Sequence, residues 1–253
     1  MKTTGNTILI TGGGSGIGFE TAKLFAQKGN KVIITGRNAK KLEEALQYIE
    51  NGSFISCDVT DEQQVQQLVK TIEKDFGSLN ILMNNAGQAM LYKLGEAPNA
   101  YKNASAEIMT NYLATVLLTD SLLPLLKQQK EAAVINVSSI VAFSPGLMLP
   151  TYSASKAALH SYTQILRLSL SQTSTVKVFE VMPPLVDTEF AKDIASETKI
   201  SPLAVAEELV KDMEANHYEI KVASTKDFYQ HYLSSPENAL LSMNGMQHLI
   251  AAK

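Results

Sequence analysis

The stretch TILITGGGSGIGFETAKLF, residues 7–25, passes from an apolar run through a glycine-rich turn into an amphipathic segment. The order strand, glycine turn and helix is typical of the first unit of a parallel sheet that binds a nucleotide. Glycines let backbone N–H groups approach an anionic phosphate, which then lies at the positive end of the helix. The spacing here is G-x-x-x-G-x-G, formed by Gly12, Gly16 and Gly18. The stretch therefore predicts a nucleotide-phosphate site at the start of an α/β domain.

The same turn differs from two well-known phosphate loops. The fingerprint G-x-G-x-x-G does not occur in it, although glycines are plentiful. A Walker sequence is excluded as well, because Phe19 and Glu20 follow Gly18 where Lys and Ser or Thr are required. A glycine turn that only closes a strand–helix junction remains the alternative.

Short β-branched runs recur along the chain, with amphipathic segments between them. The strand-like runs are 7–11, 31–35, 53–59, 80–84, 133–137, 176–181 and 219–223. They are apolar nearly throughout, which is typical of strands covered by helices on both faces. The alternation predicts an α/β fold: a single domain, 1–253, built on a doubly wound (Rossmann) parallel sheet of about seven strands.

Helix signals complete this prediction. Thr60 with Gln63 resembles a capping box that opens the helix 61–76. After Pro184 the pattern becomes irregular, and helices are expected near 189–198 and 202–216.

Composition excludes several classes of protein. The chain of 253 residues is 45% hydrophobic with a net charge of -3, which argues against a nucleic-acid partner. A single cysteine, Cys57, excludes an internal disulfide and is expected to be a buried, unreactive thiol. The N-terminus lacks a signal-peptide run, and no window approaches the roughly 18 apolar residues of a membrane span. We therefore expect a cytoplasmic protein with no membrane partner.

The end of the second strand carries a cofactor signal. An acidic residue at this place binds the ribose 2′-hydroxyl of NAD(H) in dinucleotide folds. The sequence here is IITGRN, in which Arg37 follows Gly36 and no acid is present. A guanidinium can bind a 2′-phosphate through two parallel hydrogen bonds, so NADP(H) is preferred over NAD(H). A solvated arginine in a turn is the alternative.

The stretch YSASKAALHSY, Tyr152 to Tyr162, contains a candidate acid–base pair. Tyr152 and Lys156 are four residues apart, so they share one face of a predicted helix. An ammonium beside a phenol favours the phenolate and lowers the pKa of the phenol. The pair therefore predicts proton transfer near neutrality, with an incidental Tyr and Lys at a helix start as the alternative.

Six motifs in order carry a family resemblance. They are TGGGSGIG (11–18), CDVT (57–60), NNAG (84–87), TNYLAT (110–115), INVSS (135–139) and YSASK (152–156). Together they resemble the short-chain dehydrogenases/reductases of the Tyr-x-x-x-Lys type, from about Asn6 to Thr188. The segment PPLVDT and the later C-terminal sequence resemble a bacterial DltE-like subgroup.

The resemblance implies catalytic roles for Asn111, Ser139, Tyr152 and Lys156. Tyr152 would be the acid/base, and Ser139, rather than Ser138, would hydrogen-bond the substrate carbonyl. Lys156 would hold the nicotinamide ribose and lower the pKa of Tyr152, and Asn111 would anchor a water in a proton relay. Cofactor contacts are implied at Gly12, Gly14, Ser15, Gly16, Ile17, Gly18, Arg37, Asp58, Val59, Asn85, Ala86, Gly87, Tyr152, Lys156, Pro183, Val186 and Thr188.

These assignments imply an NADP(H)-dependent oxidoreductase that transfers hydride between the cofactor and a small, apolar ketone, aldehyde or secondary alcohol. An NAD(H)-using enzyme and a non-catalytic cofactor-sensing or scaffold protein are the alternatives. The resemblance also implies a homodimer or homotetramer and a substrate lid at 188–216. Pro183-Pro184 replaces the family's usual Pro-Gly, which predicts a stiffer backbone beside the nicotinamide.

The histidines carry no metal signal. His160, His217, His231 and His248 show no close ligand pairing, and no metal site is expected.

Overall fold

The computed structural model describes residues 1–96 and 99–249. Residues 97–98 and 250–253 of the predicted domain lie outside this description.

A single sheet organises the chain. Its strands are β1 (Thr7–Thr11), β2 (Lys31–Gly36), β3 (Gly52–Ser56), β4 (Ile81–Asn84), β5 (Ala132–Val137), β6 (Val176–Met182) and β7 (Glu219–Lys221). All neighbours pair in parallel, in the order β3-β2-β1-β4-β5-β6-β7, which confirms the predicted doubly wound sheet. The chain order reverses between β1 and β4. In such sheets ligands bind at this point, outside the carboxyl ends of the strands.

Helices cover both faces of the sheet. In the part of the chain that the structure describes they are α1 (Gly16–Gln27), α2 (Ala39–Leu46), α3 (Glu62–Thr71), α4 (Ala100–Ile108), α5 (Ala114–Lys127), α6 (Pro150–Thr173), α7 (Pro202–Ala215), α8 (Thr225–Ser234) and α9 (Pro236–Met243). A π-helical turn, Met109–Leu113, joins α4 to α5. Another, Ile72–Phe76, continues α3.

The core lies on both sides of the sheet. Ile8 and Ile10 of β1 pack in one cluster with residues of α1 and α7, whereas Leu9 packs in the opposite cluster with residues of α3 and α5. Each fully buried side chain of this size contributes about 1.5–3 kcal/mol. Burial on both faces explains why the strand sequences are apolar without alternation.

Helix α3 begins one residue later than the capping-box prediction. Asp61 is its N-cap and accepts hydrogen bonds from the backbone N–H groups of Gln63 (2.9 Å) and Gln64 (3.1 Å). Thr60 cannot take this role, because its backbone N–H and its hydroxyl both donate to Asp58, at 3.0 and 2.7 Å. The predicted capping box between Thr60 and Gln63 is therefore wrong.

The segment between β6 and α7 is a compact loop with one short turn, Glu189–Ala191, where a helix was expected near 189–198. A parallel bridge between Val186 and Ile200 closes its base. With both ends held at one place, the segment folds back on itself instead of extending as a helix.

Helix α7 belongs to the core. Its inward side chains Val205, Ala206, Leu209 and Met213 are all 0% exposed. Val205, Leu209 and Met213 pack with residues of α1 on one face of the sheet. The predicted lid, 188–216, therefore contains the core helix α7, and only its first part, 188–201, precedes that helix.

One helical run, Ala100–Lys127, is long and apolar enough to cross a membrane by length and composition alone, with a mean hydropathy of 1.2. The prediction that no window approaches the length of a membrane span is therefore wrong by this measure. Such a run is weak evidence, because the core helix of a soluble protein passes the same test. Here α5 supplies Leu118, Leu122 and Leu126 to the core, which accounts for much of its apolar character.

Candidate active site

The glycine-rich turn connects β1 to α1 at the switch point of the sheet. Gly18 approaches this turn so closely that a Cβ atom would lie 2.5 Å from Asn85 Nδ2 and 2.7 Å from the carbonyl oxygen of Gly12. The Asn85 side chain also donates to the carbonyl oxygen of Thr11 (2.8 Å). Asn85, predicted as a cofactor contact, thus holds the turn in place.

The N-terminus of α1 suits an anion. Its first turn holds no acidic residue, and within the described chain the Ser15 side chain makes no capping hydrogen bond. Backbone N–H groups at this end need partners, and the helix dipole favours negative charge. The residues present therefore fit the diphosphate of a dinucleotide.

A groove of about 250 Å³ extends from this turn along the carboxyl ends of the strands. It is lined by Gly12, Gly14, Ser15, Gly36, Arg37, Asn38, Lys41, Leu42, Cys57, Asp58, Val59, Ala86, Gly87 and Thr110. Predicted cofactor positions from four separate loops therefore share one groove. The predicted positions outside this lining are Gly16, Ile17, Gly18, Asn85, Tyr152, Lys156, Pro183, Val186 and Thr188.

Cationic side chains mark one end of the groove. Arg37 is exposed at the end of β2, and Asn38 caps α2 by accepting from the backbone N–H of Lys41 (3.1 Å). Lys41 Nζ lies 2.6 Å from a carboxylate oxygen of Glu189, which belongs to the loop after β6. This end of the groove thus carries two cations, one of which is paired with Glu189.

The end of β3 supplies an acid and a thiol. Asp58 Oδ1 accepts hydrogen bonds from Thr60, which fixes the carboxylate at the groove. Cys57 is buried, and burial, followed by the charges of Asp58 and Asp61, raises the pKa of its thiol to about 11. The prediction of a buried thiol is confirmed, and the raised pKa makes Cys57 a poor nucleophile.

Ser139, Tyr152 and Lys156 come together where β5 meets α6. The Ser139 hydroxyl and the Tyr152 phenol share a hydrogen bond. Lys156 Nζ lies 5.6 Å from the Tyr152 ring centroid and donates to the carbonyl oxygen of Val137 (2.8 Å). The same ammonium is 3.7 Å from the place of a Cβ atom on Gly87, a groove residue. The predicted catalytic residues therefore border the cofactor groove.

Burial controls the protonation of this pair. It raises the pKa of Tyr152 above the ordinary value of a phenol; the Ser139 hydrogen bond opposes this rise, and the charge of Glu107 adds to it. Burial also lowers the pKa of Lys156 to about 8, against a smaller raising effect of Glu180. The expectation that Lys156 lowers the pKa of Tyr152 is wrong in net direction: desolvation of the phenolate is the largest cause and raises the pKa, and Lys156 is not among the causes of the shift.

Asn111 lies in the π-helical turn between α4 and α5 and is completely buried. Its side chain accepts from the backbone N–H of Gln88 (2.9 Å) and donates to the Gln88 carbonyl oxygen (2.9 Å) and the Ser155 hydroxyl (2.8 Å). These contacts hold the loop after β4 against α6. The amide group is therefore fully engaged, the main-chain oxygen of Asn111 accepts from the Thr115 hydroxyl (3.5 Å), and the water relay stays a prediction.

The end of β6 adds the last predicted contacts. The Pro183 carbonyl oxygen accepts from the N–H of Ile140 (3.0 Å), so the diproline is tied to the turn that carries Ser139. The Thr188 methyl group lies 3.0 Å from the place of a Cβ atom on Gly16. The Phe190 ring is 5.9 Å from the Tyr152 ring, between centroids. The loop after β6 thus touches both the glycine turn and the acid–base pair.

Ser138 and His160 form a separate buried group. The Ser138 hydroxyl donates to Glu180, which is 0% exposed, and His160 Nδ1 lies 2.9 Å from the same carboxylate. Ser138 is therefore engaged, which leaves Ser139 as the serine at the phenol. Across residues 1–96 and 99–249, no cluster of three or more His, Cys, Asp or Glu could hold a metal.

Similarity to known proteins identifies the family of this chain. The family model described as short chain dehydrogenase matches residues 6–199. The chain belongs to the short-chain dehydrogenase family. It is similar to the "uncharacterized oxidoreductase DltE" of Bacillus subtilis (strain 168), at 43% identity over 188 residues, 74% of each chain. An uncharacterized oxidoreductase of Staphylococcus aureus (strain USA300) is 33% identical over 208 residues, 81% of this chain and 89% of the relative.

Solved structures agree with this fold. A short-chain dehydrogenase/reductase from Burkholderia phymatum in complex with NAD matches 96% of this chain and 97% of its own, with a TM-score of 0.84 and 20% identity. A short-chain dehydrogenase from Burkholderia cenocepacia J2315 in complex with NADP matches 96% of this chain and 98% of its own, with a TM-score of 0.83 and 26% identity. The protein is a short-chain oxidoreductase with a DltE-like relationship that acts on CH–OH groups with a nicotinamide cofactor.

Two residues of this site in the short-chain dehydrogenase, Lys41 and Glu107, are not among the positions predicted from the sequence. Lys41 lies four residues after Arg37, and Glu107 lies four residues before Asn111. Glu107 and Asn111 are about one helical turn apart, the same signal that singled out Tyr152 with Lys156, whereas Arg37 lies outside the helix that carries Lys41. The spacing was available in the sequence, but neither residue belongs to the motifs that carry the resemblance.

Proposed function

We propose that this short-chain dehydrogenase prefers NADP(H) and transfers hydride between the cofactor and a small, apolar ketone, aldehyde or secondary alcohol. The observation that carries the proposal is the hydrogen-bonded pair of Ser139 and Tyr152, with Lys156 beneath the phenol ring and beside the groove. A proton donor and a second hydrogen-bond donor at one place are what a developing alkoxide requires.

The cofactor preference rests on charge at the end of β2. Arg37 and Lys41 both line the groove, and Gly36 stands where an acid would contact a 2′-hydroxyl. Two cations there favour the 2′-phosphate of NADP(H). Solved relatives in this fold include a complex with NAD and a complex with NADP, so the fold alone leaves both cofactors open.

When bound, the nicotinamide ring supplies or accepts the hydride. Ser139 and Tyr152 donate hydrogen bonds to the substrate oxygen, and Tyr152 delivers the proton when a carbonyl is reduced. Because burial raises the pKa of Tyr152, the phenol holds its proton near neutrality and can act as the acid. Lys156, with a pKa of about 8, is largely charged at neutral pH and stabilises the phenolate that remains.

The apolar substrate class is suggested by the surroundings of Tyr152. Phe190 packs beside its ring and is 52% exposed, so this aromatic face is available to a ligand. Leu91 is a further partly exposed apolar residue, in the loop that Asn111 holds. Such lining favours an uncharged carbonyl over a charged one.

The direct test mixes the protein with NADPH or NADH and a panel of carbonyl compounds, and follows the absorbance of the reduced cofactor. The panel pairs each uncharged ketone or aldehyde with a keto acid of similar size. The proposal expects turnover with NADPH and uncharged carbonyls, at a higher kcat/KM than with NADH or with the keto acids. Tight NADPH binding without turnover on any member would favour the cofactor-sensing alternative.

A homo-oligomer completes the proposal. Only 39% of the apolar window in Ala100–Lys127 is buried within the chain. Exposed apolar side chains on this run and on α6 include Met109, Leu113, Ile165 and Leu168. We propose that a second copy covers part of this surface, which sedimentation equilibrium would test against a monomer.

A further inference from the structure

Glu107 is a buried carboxyl group that the proposed chemistry does not yet use. It lies on α4, one helical turn before Asn111, and is 0% exposed. A carboxyl group is rarely buried to this degree unless it is paired or hydrogen-bonded. The groups that contact Glu107 therefore indicate its role.

Hydrogen bonds fix both oxygens of Glu107. The backbone N–H of Met90 donates to Oε1 (2.7 Å), and the Thr151 hydroxyl donates to Oε2. Tyr92 and Thr151 hydroxyls are 2.6 Å apart. Since Thr151 has one proton and gives it to Glu107, Tyr92 must donate to Thr151. This chain of donors ends on the two carboxylate oxygens of Glu107.

This carboxylate lies at the start of α6. Thr151 and Tyr152 occupy the first turn of that helix, just after Pro150. The positive end of the helix dipole stabilises an anion at this place. In the described residues, the hydrogen-bond partners of Glu107 are neutral donors, so its charge is not cancelled by a contacting cation.

We propose that Glu107 is a positioning residue for the acid–base pair: a fixed negative charge beside the first turn of α6 that keeps Tyr152 in its phenol form. This role depends on the proposed function, in which Tyr152 is the acid. It also gives Glu107 a second task, because its hydrogen bonds hold the 90–92 loop against the N-terminus of α6.

The charges that act on Tyr152 come from several elements. Glu107 acts from α4 and Lys156 from α6 itself, while the Ser139 hydroxyl contacts the phenol from the turn after β5. Glu180 of β6 acts on Lys156. A carboxylate opposes a nearby phenolate by like-charge repulsion and so raises the pKa of Tyr152, in the same direction as burial.

The test titrates the phenolate of Tyr152 by its near-ultraviolet absorbance in the protein saturated with NADP+. Wild type and Glu107→Gln are compared, and the spectrum of each is corrected with its own Tyr152→Phe counterpart. Thr151→Val is the matched control, because it removes one hydrogen bond and leaves the carboxyl group in place. Circular dichroism defines the pH range in which all variants remain folded.

The Tyr152 signal is expected to begin at a pH about one unit lower in Glu107→Gln than in wild type. Thr151→Val should titrate like wild type, even where its thermal stability falls. Coincident curves for Glu107→Gln and wild type, including no Tyr152 signal in either, would overturn the proposal. So would an equal shift in Thr151→Val, because it would make the effect structural.

The readout separates this role from the proposed function. The titration requires no substrate, so it reports on Glu107 even if no carbonyl compound is reduced. With an active substrate, the alkaline fall of kcat/KM for carbonyl reduction should also begin at lower pH in Glu107→Gln. If Glu107→Gln is active and its kcat/KM begins to fall at the same pH as in wild type, the protein is an oxidoreductase in which Glu107 does not have the proposed role.

Discussion

Lys41 Nζ lies 2.6 Å from a carboxylate oxygen of Glu189, and this ion pair joins the rim of the cofactor groove to the loop after β6. Both side chains are well exposed, at 40% and 68%. A 2′-phosphate bound as proposed would compete with Glu189 for the Lys41 ammonium. The proposed phosphate contact would therefore weaken the ion pair that joins the groove to this loop.

Glu189→Gln should tighten the binding of NADPH about two- to fivefold at low ionic strength, the range of an exposed ion pair. The substitution frees Lys41 and removes a negative charge near the phosphate. Isothermal titration calorimetry at low and high salt measures the effect, which should shrink as salt screens the charges. Glu197→Gln makes the same charge change elsewhere in the loop and should have no effect, and NADH affinity should not change.

Arg37→Asp should weaken NADPH binding about tenfold or more, because it replaces a donor to the phosphate with a repelling charge. NADH affinity in the same variant is the internal control and should hold or improve, since an acid at this place can accept from the ribose 2′-hydroxyl. Fluorescence titration gives both constants. Equal losses for the two cofactors would contradict the predicted NADP(H) preference.

Tyr152→Phe should lower kcat by about 10²- to 10⁴-fold, the usual contribution of a general acid. NADPH affinity should stay close to that of wild type, because the phenol acts on the substrate oxygen. Tyr162→Phe removes a phenol from the same helix and should retain activity. Turnover that survives Tyr152→Phe would refute the mechanism.

Gly18→Ala should destabilise the protein by about 1–3 kcal/mol, although Gly to Ala within a helix ordinarily stabilises. The added Cβ would lie 2.5 Å from Asn85 Nδ2 and 2.7 Å from the Gly12 carbonyl oxygen. Gly36→Ala is the matched control, since its Cβ meets only Leu42, at 3.7 Å. Urea unfolding compares the two variants, and equal midpoints would show that the turn relaxes freely.

The His160–Glu180 pair predicts a pH-dependent contribution to stability. The hydrogen bond to Glu180 raises the pKa of His160 above 6.5 in the folded protein. The contribution is therefore fully present below the unfolded pKa and is lost as the pH rises through the folded pKa. The stability difference between wild type and His160→Gln should accordingly be larger at about pH 5.5 than at about pH 8.5.

Two comparisons isolate that effect. His217→Gln removes an exposed histidine that pairs with Asp212 and should leave the unfolding free energy unchanged. Lys156 has the opposite sign: its lowered pKa makes stability rise with pH above about 8, in wild type as well as in the variant. If the difference in unfolding free energy between wild type and His160→Gln does not change with pH, the charged hydrogen bond does not contribute to stability.

The apolar runs of the sequence predict the sheet, and the short motifs predict most residues of the site. Neither signal identifies the residues that surround the motifs. The apolar runs and glycine turn predicted the strands and the groove, because these signals are local. Asp61 rather than Thr60 is the N-cap of α3, because the Thr60 hydroxyl donates to Asp58. Two candidate capping residues therefore compete at the start of one helix. Local patterns do not record such competition.

Burial and long-range contacts account for the remaining differences. The pKa of Tyr152 is set mainly by burial, which arises only when β5, α6 and the loop after β6 come together. Glu107 meets Thr151 from 44 positions away along the chain. A spacing rule within one helix cannot anticipate either effect.

The bridge between Val186 and Ile200 gives the loop after β6 a closed base, while α7 remains anchored to the sheet. The segment between these two anchors contributes Phe190 to the surroundings of Tyr152 while the sheet keeps its own packing against α7. Substitutions at the tip of this loop would therefore change which molecules reach Tyr152 more than they change the interior of the protein.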